Sequence, residues 1–164
     1  MAVVGCFAPI SSVTLKHLHD NPHEVPGFLF PEDGHAVPPG TVDIDEVWDG
    51  LHFLLGRQHP DFISPESLAV MGGIKIGDDL GHGPARVLTP AAVRIIALCL
   101  EDMSPDHLAM QYDPVRMDSI GVYPETWRQH GEDGLEYIMD GYQRLFRFYH
   151  GARLRCTGMI LWLA

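Results

Sequence analysis

Seven apolar residues, Leu135, Ile138, Met139, Tyr142, Leu145, Phe146 and Tyr149, recur at offsets of 3, 4, 7, 10, 11 and 14. That is the period of a helix with one buried face, and Gly151 is placed to end it. A second stripe, Ile44, Val47, Trp48, Leu51, Leu54 and Leu55, has offsets of 3, 4, 7, 10 and 11. It predicts a helix with Asp43 as N-cap, Asp45 and Glu46 at the positive end of the dipole and Gly56 as the stop. Phe53 points nearly opposite this stripe, so a second layer must cover it.

Shorter apolar runs predict strands. Residues 2–8, AVVGCFA, are partly β-branched and stop at Pro9, which suits an opening strand. Ser11 or Ser12 caps a helix over 13–19 that ends at Asn21-Pro22. Pro22, Pro26, Pro31, Pro38 and Pro39 make 22–40 a long surface excursion with at most one helical turn, the region expected to be most mobile. Beyond a loop over 58–65, SLAVMGGIKIG reads as two strands about a tight Gly72-Gly73 turn. DDLGHGP is a glycine-rich loop before a strand over 85–88. Thr89-Pro90 then opens a helix, AAVRIIALCLEDM, apolar nearly all round and therefore expected against the sheet. Ser104-Pro105 and Asp113-Pro114 open two short helices, YPETW makes a turn-like piece, and MILWL suits a buried central strand. No repeat or linker divides the chain. The pattern predicts one α/β domain over 1–164, with a mixed central sheet of about five strands and helices packed against it.

Composition narrows the function. At 164 residues, 46% hydrophobic and 20% charged, the chain builds one ordered core, burying roughly 70% of its unfolded surface. Eleven basic against 22 acidic residues give a formal charge of −11, a field that repels nucleic acid and anionic lipid surfaces alike. Arg144, Arg147, Arg153 and Arg155 are the one basic concentration; they could seat a small anion, although charges solvating a surface helix are the simpler reading. Cys6, Cys99 and Cys156 are odd in number and far apart, which indicates neither a disulfide framework nor a zinc knuckle and suits reduced cytosol. Each behaves most simply as a small hydrophobe. No run of about 18 apolar residues and no secretory leader is present, so the expectation is a cytoplasmic protein outside the membrane.

VWDGLHFLL, IGDDLGHGPARVLTP and YPETW, in this order, together with the opening AVVGCFAPIS, resemble the YfbM-like family of small bacterial proteins essentially end to end. The resemblance implies a compact α/β fold with helices on both sides of a central sheet, and a cytoplasmic location. It implies no activity, because the family is one of unknown function without catalytic residues to carry over. His82 departs from the family's pattern, standing where an aromatic such as tyrosine is expected.

Candidate chemistry gathers at three places. Asp45, Asp49 and His52, at i, i+4 and i+7, would share one strip of a helix, and a carboxylate beside an imidazole serves metal ligation and general base catalysis; it is also an ordinary structural device at a core margin. Gly81-His82-Gly83-Pro84-Ala85-Arg86 lacks the G-K-[ST] ending of a nucleotide loop. Arg86 could still clamp a carboxylate or phosphate bidentately, or pair with Asp78 or Asp79. Trp127, beside Tyr123, could line a pocket or anchor a partner, whereas Trp48 and Trp162 read as core. His17, His19, His23 and Glu24, and separately Asp78, Asp79 and His82, include metal-ligating residue types, but their spacing sets no fixed geometry. No metal and no cofactor is assigned. The reading is a binding or interaction module for a small ligand or protein partner, its cleft formed by Asp49, His52, His82, Arg86, Tyr123 and Trp127. Alternatives are a small hydrolase or lyase with His52 as base, Asp49 orienting it and Arg86 holding an anionic substrate, or an acidic protein that neutralises a basic partner such as a toxin. No catalytic residue is assigned, whether the protein is an enzyme is left open, and the sequence does not set an oligomeric state.

Overall fold

A computed structural model describes residues 2–31, 37–57 and 63–164. Five strands, β1 (Gly5–Ile10), β2 (Val42–Asp43), β3 (Ile74–Asp79), β4 (Pro84–Leu88) and β5 (Gly158–Leu163), form one sheet in the order β2-β1-β5-β4-β3. The five-stranded sheet with helices on both faces is as expected, but the pairing is antiparallel throughout rather than mixed. The chain leaves β4 at Leu88 and, after a helical excursion, rejoins the sheet directly opposite it, with Leu88 paired to Met159. A parallel neighbour would instead have required a crossover to the other end.

Alternation along the strands divides the core in two. Phe7, Leu88, Met159 and Leu161 face a layer made by α3 (Trp48–His52), α5 (Pro90–Asp102) and α8 (Trp127–Leu154). Cys6, Ala8, Ile76, Ala85, Val87, Ile160 and Trp162 face the other way, onto Leu18 of α1 (Ser12–Asp20) and Val25 and Leu29 of α2 (Val25–Leu29). The smaller layer corrects the reading of 22–40 as a surface excursion. Its described part carries a 3-10 turn over Pro22–Glu24 and then α2, whose Val25 and Leu29 are fully buried, while residues 32–36 lie outside the described residues.

Capping chemistry sets several boundaries where the sequence placed them. Ser11 accepts from the Thr14 amide at 3.0 Å, Thr89 from Ala92 at 3.2 Å and Asp113 from Arg116 at 2.9 Å, opening α1, α5 and α7 (Pro114–Ser119); α6 spans Pro105–Ala109. Other boundaries move. β1 starts at Gly5 and runs through Pro9 to Ile10, since Pro9 lies beyond the two-residue pairing with β2, where β1 is an edge and needs no further amide. SLAVM ends in a helical turn, α4 (Leu68–Met71), and the hairpin turn sits at 80–83 instead of Gly72-Gly73. Gly151 does not end α8, which continues to Leu154 and breaks instead at Gly131, where φ is 54° and ψ −127°. The helix expected over 43–56 is three pieces: a 3-10 turn over Asp45–Val47, α3, and a π turn over Phe53–Arg57. Asp43 therefore caps no helix. It pairs with Cys6 in β2, and its carbonyl accepts from Arg144 at 3.1 Å.

Candidate ligand-binding site

The six candidate residues fall in two neighbouring groups. Asp49, only 6% exposed, accepts from the Tyr123 amide at 2.9 Å. The Tyr123 hydroxyl accepts from the Val3 amide at 2.9 Å, and its ring stacks on Trp48 at 5.9 Å, whose indole N–H donates to the Val3 carbonyl at 3.0 Å. Trp127 is 2% exposed, so it belongs to the core; its indole N–H donates to the Val122 carbonyl at 2.9 Å and its amide to Asp118 at 2.9 Å. Together these bonds tie the 121–127 loop to α3 and to the residues before β1. His52, half-buried in the last turn of α3, lies one turn beyond Asp49. Asp45 leaves the strip expected for it: it takes a left-handed φ of 57°, accepts from the Glu46 amide at 3.0 Å and faces Tyr137. Burial and the Asp45 carboxylate push the Tyr137 hydroxyl up to about 12.

The second group borders a cleft of about 110 Å³ on the α3 side of the sheet. One row of side chains crosses the whole sheet in register: Val42, Phe7, Leu161, Arg86 and Lys75. Ala85 and Val87 point to the opposite core, which sends Arg86 to this face, and Ile76 does the same for Lys75. Arg86 and Lys75 thus face each other across the hairpin and border the cleft with His82, against apolar walls that include Val70 and Met71 of α4. Gly5 lines it too, and a Cβ there would lie 2.7 Å from the Trp48 Cβ, so Trp48 is the link between the two groups. Asp49, His52, Tyr123 and Trp127 do not border the cleft.

Neither Arg86 nor Lys75 is in an ion pair among the described residues. The expected pairing of Arg86 with Asp78 or Asp79 is not made. Asp79 turns into its own loop, accepting from the Gly81 and Gly83 amides at 2.7 and 3.0 Å, and these bonds hold its carboxyl below the usual carboxylate range. The C-terminal arginines behave differently. Arg144 meets Asp43 at 3.4 Å and Asp140 at 3.5 Å, and Arg153 meets Glu101 at 2.9 Å, as a solvated helix face does. His17 binds Glu24 at 2.7 Å, but the described residues contain no group of three or more metal-ligating side chains. Burial pushes the Cys6 thiol up to about 11, which leaves it protonated and unreactive at neutral pH. No helix among the described residues is long and apolar enough to cross a membrane.

Lys75 is the residue that sequence reasoning missed. Its signal was present: in IKIGDDLGHGPARVL the loop DDLGHG is itself the turn, and folding the stretch there sets Lys75 against Arg86. Fold and cleft together define a small α/β protein whose antiparallel sheet carries a cationic pair at one end. Residues 1–162 match a family defined by a domain of unknown function, DUF1877, and the chain belongs to that family. The fold is similar to the crystal structure of YfbM from Escherichia coli, a protein of unknown function, with a TM-score of 0.75 and 22% identity over 98% of this chain and 99% of that one. No curated protein matches the chain.

Proposed function

We propose that this protein is a binding module for a small anionic ligand, seated between α4 and the β3–β4 hairpin. Arg86 and Lys75 provide the charge, and His82 stands at the hairpin turn beside them. One observation carries the reading: two cations paired in register on one face of the hairpin, in a protein with twice as many acidic as basic residues, have no carboxylate partner among the described residues. Like charges placed directly opposite are unfavourable, and an anion between them reverses the sign of the interaction. Asp49, Tyr123 and Trp127 support the site from behind by holding α3, and through Trp48 the wall at Gly5. Three free cysteines support a cytoplasmic setting under this reading. Thermal denaturation in phosphate, sulfate and acetate, each at the same ionic strength as a chloride control, tests it. At least one anion should raise the melting temperature of the wild type, and Arg86→Gln and Lys75→Gln should abolish that rise. Equal melting temperatures in all four salts would exclude the anion site.

A further inference from the structure

We infer that the ligand is a phosphomonoester dianion with a short alkyl substituent, an inference that rests on the anion-binding reading above. Three features of the cleft converge on that chemistry.

The first is the pairing of an arginine with a lysine at directly opposed positions. Cβ atoms so placed lie about 4.5–5.5 Å apart, close enough for both head groups to meet on one acceptor. The planar guanidinium takes two oxygens in a fork, and the ammonium, a compact point charge, takes a third. A carboxylate offers two oxygens and one negative charge; a phosphoryl group offers three and nearly two charges. The latter matches the two cations in charge, close to one negative charge for each.

Size is the second. The cleft's 110 Å³ is less than the ~150 Å³ of a cavity that holds benzene, so it encloses little beyond the anionic head and the first carbons of a substituent. A nucleoside does not fit inside.

The remaining wall is the third. Phe7, Val70, Met71, Leu161 and Leu163 are apolar, and among the described residues no serine, threonine, amide or carboxylate side chain borders the cleft. The ring of Trp162, whose backbone passes here, belongs to the opposite face of the sheet. A substituent bearing hydroxyls would therefore lose its water without gaining a partner, whereas an alkyl group would gain from the same wall. No carboxylate among the described lining residues opposes a dianion at close range, and the nearby Asp79 is held by its own turn.

Isothermal titration of the full chain with inorganic phosphate, ethyl phosphate, propyl phosphate and butyrate, at constant ionic strength, tests the assignment. Ethyl and propyl phosphate should bind more tightly than inorganic phosphate, by about fourfold for each methylene buried. Butyrate should bind about tenfold or more weakly than ethyl phosphate, and Arg86→Gln should weaken every phosphate probe by about tenfold or more. Lys75→Gln, at an exposed position, provides a second variant if Arg86→Gln perturbs folding. If butyrate equals or exceeds ethyl phosphate and both are lost in the variants, the phosphomonoester assignment is overturned and the anion site stands. If inorganic phosphate binds as well as its alkyl esters, the alkyl substituent is wrong. If no probe binds the wild type better than the two variants, both readings fall.

Discussion

Two like charges facing each other across an antiparallel pair cost the folded state roughly 0.2–1 kcal/mol, and Lys75 opposite Arg86 is such a pair. Lys75→Gln should therefore stabilise the protein by about 0.5 kcal/mol in anion-poor, low-salt buffer, with the gain shrinking at high ionic strength. Urea denaturation at two salt concentrations reads this directly. Asp49 is the opposite case, a carboxylate whose partner lies 74 residues away in the chain. Its importance was legible, as a charged residue on the margin of an apolar stripe. Its role was not, because the Tyr123 amide reaches it only through tertiary packing. Asp49→Ala should strand that amide and cost about 1–3 kcal/mol in denaturant titrations, whether or not any ligand is present. The burial of Trp127 was hidden for the same reason: a tryptophan in a turn-like run carries no local sign that Gly50 makes room for its ring.

Among the elements, the stretch 45–57 shows how a pattern can be right and its interpretation incomplete. A 3-10 turn has fewer residues per turn than an α-helix and a π turn has more, so the succession 3-10, α, π averages close to the α-helical period. The apolar stripe therefore reads as one helix, while the local phase changes at each join. Phe53, where the π turn begins, is fully buried, covered as its place opposite the stripe requires, with Arg116 lying over its ring at 6.0 Å. Gly50 sits within this succession, where a Cβ would approach the Trp127 ring to 2.6 Å and Ile138 to 3.0 Å. Gly50→Ala should cost about 1–3 kcal/mol through overpacking. Gly27→Ala in α2, with nothing within 4 Å of the added Cβ, should be neutral or stabilising. Comparing the melting temperatures of the two variants separates packing from backbone effects. The hairpin was misplaced because glycine marks both turns and helix stops. Gly72 follows α4 with an extended backbone, φ −79° and ψ −179°, and the turn chemistry belongs to Asp79 and the glycines after it.

At the scale of the whole molecule, four of the five strands and most helices were legible from period and capping, whereas β2 and the order β2-β1-β5-β4-β3 were not. Each strand's pattern is compatible with several neighbours, and nothing local states that Gly5–Ile10 must pair with Gly158–Leu163. The cleft inherits that blindness, since its floor combines residues from both of these strands with a hairpin from the middle of the chain. β5 lies between β1 and β4, so removing 158–164 should separate the sheet into two incomplete parts. Circular dichroism of that truncated chain should show residual helix without a cooperative thermal transition, whereas a sharp transition would mean that the helical layer folds alone. The position of β5 also fixes when the protein can become itself. At a synthesis rate of about 5–20 residues per second, roughly 8–30 s separate the emergence of β1 from that of its main partner. Throughout that interval the nascent chain must carry its apolar helix faces with no finished sheet to cover them, a window in which chaperones, rather than the native contacts, decide its fate.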